Sequence, residues 1–335
     1  MAGPGDRSLL RIVNDAIEVE VDVELGAEIR TVARPGGPNV LASYDWTSPI
    51  SNRRSWGYAG LEVDWLADYS GGWQELFPNA GGSCEVDGVL LPFHGEASRA
   101  RWDVVEQAAD SVTLRTGARL PLVLERRMQL TEDPPALRIE EVVRSDAPVA
   151  TAFLLGHHPA FLATESARID VPDTTMARVD ADYVTELADL EPGATAAWPT
   201  VAGRTGGSIS LDTVPAGPVQ RLAYLSELGS TPWAAIRGVQ PGLGAALAWD
   251  GATYPYVWNW WEIGGEDYPW YGRARIVALE PAMTNVPSGL AEARALGHAV
   301  ELGAGEEHRS WVTVSLFDAD ERPVTGVGRD GAIEC

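Results

Sequence analysis

The chain is predicted to be mainly β, a large antiparallel β-sandwich with few short helices. Three features of the sequence lead there. Short stretches alternate apolar and polar residues, Gly/Pro/Asp/Asn clusters stand between them, and no long amphipathic helix is present. Ala16–Val23, Ser111–Arg115 and Leu137–Val142 place β-branched or other apolar residues at every second position, the period of a half-buried strand. The intervening segments Arg34–Asn39, Thr131–Pro135 and Val239–Gly244 are turns, because their Gly, Pro, Asn and Asp residues suit the special dihedrals of tight connections. Thr185–Gly207, rich in Ala, Gly, Pro and Thr, is expected to be a long surface loop, and Pro287–Leu296 is the best candidate for a short helix. The 35 glycines and 23 prolines are spread along the whole length, which fits many tight connections in one sandwich better than two domains and a hinge. The expected organisation is an N-terminal tail over residues 1–8, one domain over 9–320 and a C-terminal tail over 321–335.

Composition narrows the functional classes. At 335 residues with 45% hydrophobic and 22% charged residues, the chain has ample material for a core. Its 48 acidic residues against 25 basic ones, all arginine, give a net charge of -23. A field of that sign repels nucleic acid phosphates and anionic membrane surfaces, so neither is an expected partner. Cys84 and Cys335 are too far apart in the chain to form a metal-ligand spacing or a disulfide framework. The start Met1–Arg7 lacks the apolar stretch of a signal peptide, and no segment approaches the roughly 18 apolar residues of a membrane span. A cytoplasmic location is therefore expected.

The residues able to carry chemistry are few. Of five histidines, one lies in Leu91-Pro92-Phe93-His94-Gly95-Glu96 and two in Leu154-Leu155-Gly156-His157-His158-Pro159-Ala160-Phe161. Histidine titrates closest to neutrality, so most of a scarce supply in two Gly/Pro-marked apolar segments points to proton chemistry, against the alternative of satisfied core residues. Adjacent histidines on a strand point to opposite faces, which disfavours a shared metal among His94, His157 and His158. Arg275–Met283 embeds Glu280 at the end of an apolar strand closed by Pro281. Burial there would raise its pKa towards the range of a general base, while a purely structural alternative pairs it with Arg273 or Arg275. Of thirteen tryptophans, seven cluster near these motifs: Trp56, Trp65 and Trp73 before the first, and Trp258, Trp260, Trp261 and Trp270 around the last. Indole faces suit the apolar faces of sugar rings, and equally fill a β core; alternation sends Trp258 and Trp260 to one face and Asn259 and Trp261 to the other.

Taken in order, His94-Gly95, His158 followed by Pro-Ala-Phe, and Glu280-Pro281 resemble the aldose 1-epimerase (galactose mutarotase) superfamily. The likeness extends over nearly the whole chain: Leu25–Ile29 resembles an early Gly-containing strand turn, Leu76-Phe77-Pro78-Asn79 the segment before the first histidine, and Val257-Trp258 a late aromatic strand. Gly303–Glu306 with Trp311 resembles the closing turn and strand. The resemblance implies a mutarotase-like supersandwich and interconversion of the α and β anomers of a free or modified aldose, without a cofactor. It implies Glu280 as base on the anomeric hydroxyl, His158 as acid on the ring oxygen, and His94 as a supporting group. His157, Asn79, Asp250, Trp258 and Asn259 are the implied sugar contacts.

One departure concerns the substrate. The family's sugar-binding arginine near Leu76–Asn79 is replaced by Ala80-Gly81-Gly82, so Arg53, Arg54 or Arg99 is expected to take its place. An acidic or modified sugar held by Arg53 or Arg54 stays open, and a phosphosugar is disfavoured by the scarcity of clustered arginine. The competing reading is a carbohydrate-binding or sugar-sensing protein that keeps the cleft without catalysis.

Overall fold

The computed structural model describes residues 9–44 and 62–335. Two large sheets face each other. The first has ten strands in the spatial order Leu10–Val13, Glu18–Asp22, Glu28–Ala33, Trp73–Leu76, Gly156–Leu162, Arg275–Ala282, Tyr256–Ile263, Val219–Ser226, Met176–Val179 and Thr195–Ala197. The second has eight, in the order Arg168–Asp170, Trp233–Gln240, Leu243–Trp249, Glu307–Asp318, Pro135–Ser145, Leu122–Glu132, Ser111–Gly117 and Asp103–Gln107. Every ladder in both sheets is antiparallel, as the alternating sequence predicts. Among the described residues the α-helices are two short ones, Glu62–Leu66 and Leu290–Ala295, the second inside the predicted 287–296 segment. No helix among them is long and apolar enough to cross a membrane.

The core lies between the sheets. Successive strand residues alternate faces, so Trp73, Phe161, Val277, Leu279, Val257 and Trp261 of the first sheet meet Leu124, Met128, Leu137, Ile139, Val312 and Val314 of the second, all buried. The opposite face of the ten-stranded sheet carries Ala160, Ile276 and Trp260 under a separate cluster of Trp65, Tyr69 and Trp270. This second apolar layer builds the walls of a cleft.

Two expectations about irregular segments are revised. The 185–207 segment contains strands Thr195–Ala197, which extends the first sheet, and Thr200–Ala202, which pairs with Ser208–Ser210. Residues 321–335 do not hang free: Gly326–Val327 pairs with Ile333–Glu334, and Val324, Val327 and Ile333 pack on Trp233, Ala246 and Trp311. The apolar outer face of the eight-stranded sheet requires that cover, since a few exposed tryptophans and alanines in one patch would otherwise stand in water.

Candidate active site

The register of three neighbouring strands assembles the site. The pairs Gly156↔Ala282 and Ala160↔Ala278 bracket His158 and Glu280, and Trp258 pairs directly with Glu280 and with Tyr224. On the other side His158 pairs with Gln74. Gln74, His158, Glu280, Trp258 and Tyr224 thus form one row across five strands, on the face away from the core. The middle three, His158, Glu280 and Trp258, border a cleft of about 680 Å³ also lined by His94, Trp260, Trp65, Trp270 and Tyr183 among others.

Glu280 and His158 face each other across that row, with Oε1 3.5 Å from Nε2 and both side chains almost fully buried. Neither Arg273 nor Arg275 pairs with Glu280: the Arg275 guanidinium bonds the carbonyls of Pro215 and Ala216, and Glu280 has no ion-pair neighbour but His158 among the described residues. Burial pushes the Glu280 carboxyl well above its ordinary range and pulls the His158 ring down to about 4. The two shifts act in opposite directions on the two proton affinities and reverse their ordinary order, so that the carboxylate holds a proton more tightly than the ring. A raised carboxylate is a stronger base when ionised, and a lowered imidazolium is a stronger acid when protonated.

His94 comes from a different part of the chain. It follows the strand Val89–Leu91 on a turn in the left-handed region (φ 57°), and Gly95 continues that turn at φ 76°. A Cβ at Gly95 would lie 2.4 Å from the Phe77 carbonyl oxygen, so only glycine fits beside the histidine. The Gly81 amide donates to His94 Nδ1 at 3.1 Å, which makes Nδ1 the acceptor and leaves the proton on Nε2 as a donor. Burial, and then the nearby His158, hold this ring well below the ordinary histidine range, so it is neutral at pH 7. The His94 ring stands 5.6 Å from that of His158 and edge-on to Trp65 at 4.8 Å.

Several residues expected to touch a sugar lie elsewhere. His157 is on the core side of its strand, between the sheets, where alternation places it once His158 faces the cleft. Its ring stands 3.5 Å from Glu75 and 3.3 Å from Glu141 and accepts from Trp73 Nε1. Tyr254 and Ser310 both donate to the same Glu141 oxygen, at 2.7 and 3.0 Å, and Arg126 approaches Glu75 at 3.4 Å. Asn79 spends its amide on the carbonyls of Gly82 and Pro92 and accepts from the Leu290 amide, tying three loops together. Asp250 caps its own turn through Ala252 and Thr253. Asn259 is core-facing and accepts from Trp261 Nε1 at 2.6 Å. Arg99 pairs with Asp64 and Asp68 at 2.6 and 2.9 Å, holding the helix that carries Trp65. Trp258 does border the cleft, its Nε1 bonded to the Thr284 carbonyl. Arg53 and Arg54 lie outside the described residues.

The histidines do not converge as metal ligands, since His157 points away from the other two. Glu75, Glu141 and His157 bring potential ligand atoms within 4.8 Å of one another. The Arg126 guanidinium already supplies positive charge to that group, and Tyr254 and Ser310 occupy Glu141, so its chemistry is that of a buried ion-pair network.

Other cleft residues were not singled out from the sequence. Glu262, Gln220, Tyr183, Asp180 and Asp267 also line it. Glu262 had a readable signal, because it continues the Trp258, Trp260 period-two face. Asp180 and Tyr183 lie on a connection after Met176–Val179 and carry no such pattern.

Neither a protein-family sequence model nor a curated protein sequence matches the chain. Solved structures do match. A galactose mutarotase related enzyme from Lactobacillus acidophilus superposes with a TM-score of 0.61 at 16% identity over 94% of this chain and 99% of its own. A galactose mutarotase-like protein from Clostridium acetobutylicum does so with a TM-score of 0.63 at 13% identity, over 95% and 98%. The chain has the galactose mutarotase-like fold. A Synechocystis sp. PCC 6803 protein also superposes on the chain, with a TM-score of 0.67 at 17% identity over 95% of this chain and 99% of that one. At such identities the likeness is one of fold, and the mutarotase-like scaffold accounts for the row His158–Glu280–Trp258 only as an arrangement of strands.

Proposed function

We propose that the protein interconverts the α and β anomers of a reducing sugar by general acid–base ring opening and closure. The observation that carries this reading is the Glu280–His158 pair, 3.5 Å apart on adjacent strands at one wall of an aromatic cleft. In the form of the pair that carries its single proton on His158, Glu280 takes the proton from the anomeric hydroxyl, the C1–O5 bond breaks, and His158 delivers its proton to O5. The open-chain aldehyde turns about C1–C2, the ring closes on its other face, and both protons return. His94, with its proton held on Nε2 by the Gly81 amide, donates a hydrogen bond to a sugar oxygen and needs no change of charge. Trp258, beside Glu280 in register, offers its indole face to the ring.

The test is relaxation of freshly dissolved pure anomers, followed by NMR across neutral, acidic, phosphorylated and amino aldoses. Catalysed relaxation that is lost in Glu280→Gln supports the reading. Tight sugar binding with an unchanged relaxation rate would replace it with a binding protein.

A further inference from the structure

The cleft is longer than the acid–base pair needs. The strand Tyr256–Ile263 turns Trp258, Trp260 and Glu262 to the cleft, and Glu262 lies four residues beyond Trp258. At roughly 3.3 Å per residue, that is about 13 Å from the position next to Glu280, more than one pyranose ring spans. The remote end is aromatic: Trp260 donates to the Tyr183 hydroxyl at 3.1 Å, and the Trp260 and Trp270 rings stand 5.8 Å apart.

The cleft as a whole is also acidic. Glu62, Asp180, Asp182, Glu262, Asp267 and Glu280 line the cleft, and no arginine does among the described residues. Glu262 is 1% exposed, and its oxygens accept from Gln220 Nε2 at 2.6 Å and from the Gly265 amide at 3.0 Å. None of Glu62, Glu262 and Asp267 has a cationic partner among the described residues, whereas Asp64 and Asp68, just behind the wall, share Arg99. Burial raises Glu262 to about 7, the response of a carboxylate that lacks a counter-charge. Burial, and then the charges of Glu262, Glu62 and Asp267, raise the nearby Tyr183 hydroxyl, so these three carboxylates share one neighbourhood.

The same cavity holds a carboxylate that has no hydrogen-bond donor among the described residues. Glu280 is 3% exposed and makes no hydrogen bond among the described residues, its one charged neighbour being His158 Nε2 at 3.5 Å. Such groups in a roomy cleft are what a bound ligand satisfies. Phosphate and uronate groups meet repulsion at the remote end. An uncharged sugar leaves the carboxylates without a counter-ion. An ammonium group matches both features, because indole and phenol faces attract it and carboxylates accept its hydrogen bonds.

We propose that this remote end is a subsite for a protonated amine carried beyond the reacting ring, so that the preferred ligand is a reducing disaccharide of amino sugars. The inference rests on the anomer-exchange reading for which ring sits at Glu280, but the amine subsite is read by binding alone.

Calorimetry should compare the β-1,4 glucosamine disaccharide, its N,N′-diacetylated form and glucosamine, with wild type, Glu262→Gln and the exposed Asp267→Asn. The free-amine disaccharide is expected to bind wild type roughly tenfold or more tightly than the acetylated one, with the gap narrowing in both variants and in high salt. Equal affinities, a gap unaltered by both variants, or binding of Ca²⁺ alone with none of the sugars overturns the proposal. Asp267→Asn decides the matter if Glu262→Gln fails to fold. Catalysed relaxation of monosaccharide anomers without an amine gap removes the subsite and leaves the proposed reaction. An amine gap without catalysed relaxation does the reverse.

Discussion

His157 and His158 are neighbours in the chain, equally deep in the protein, and opposite in surroundings. His157 stands between the sheets at 3.5 and 3.3 Å from two carboxylates, with Arg126, Trp73, Tyr254 and Ser310 completing the group. His158 looks the other way, into the cleft, with Glu280 at 3.5 Å and, among the described residues, no hydrogen-bond partner on its other ring nitrogen. Burial alone therefore separates nothing here, and the company on each face decides the role. On the core side, charges compensate one another and hold two sheets together. On the cleft side, an acid and a base are left uncompensated beside a cavity, where perturbed proton affinities serve chemistry.

The largest effect expected from breaking this contrast is on the cleft side. His158→Asn and Glu280→Gln should each lower catalysed anomer relaxation by roughly 10²- to 10⁴-fold, the usual worth of a positioned acid or base. Thermal unfolding should stay within a few degrees of wild type, because neither side chain bridges the sheets.

The converse holds on the core side. His157→Ala removes the ring between Glu75 and Glu141 and should cost about 3–5 kcal/mol of stability in denaturant unfolding, the penalty for stranding buried charge. Relaxation per folded molecule should change by no more than severalfold.

The two carboxylates flanking His157 sharpen the comparison further. Burial, and then the charge of Glu141, raise Glu75 well above the carboxylate range. For Glu141, burial works upward, but the field and hydrogen bond of His157, with bonds from Glu75 and Tyr254, hold it below that range. A raised folded pKa gives stability that is complete below the unfolded value near 4.3 and is lost as pH rises through the folded value. A depressed one gives stability present above about 4.3 and lost as pH falls through the folded value. At pH 5, Glu75→Gln, which mimics the protonated acid, should therefore cost under about 1 kcal/mol, and Glu141→Gln several times more. Unfolding curves of the two variants from pH 4 to 8 check the order, and the Glu75→Gln cost should shrink or reverse as pH rises.

The smallest effect belongs to Arg99, whose pairs with Asp64 and Asp68 are partly solvated. Arg99→Ala should cost about 1 kcal/mol and raise the KM for sugar modestly through the loosened Trp65 helix, with kcat unchanged.

The β class and its turns were legible because alternation and Gly/Pro punctuation are local signals. The row His158–Glu280–Trp258 was legible as separate motifs whose order resembles a known family, while their register across strands is a property of the fold. Three of the misplaced sugar contacts share one cause: Asn79, Asp250 and Arg99 are polar residues near the motifs that local loops and a short helix consume, and sequence does not show which polar side chains the fold will use itself. The core network had a faint signal. Arg126 falls in the same alternating phase as Leu124 and Met128, and Glu141 in that of Ile139 and Val143, so each charge was marked for the interior. The tail over 321–335 was misjudged because the cover on the far sheet comes from Val324, Val327 and Ile333, too widely spaced to read as a strand pattern.

The most direct measurement compares anomer relaxation rates, per folded molecule, for His157→Asn and His158→Asn in the same assay. The account predicts that His157→Asn keeps most of the wild-type rate while losing stability, and that His158→Asn falls by at least about a hundredfold with its stability intact. Full activity in His158→Asn, or its loss in a stably folded His157→Asn, would contradict it.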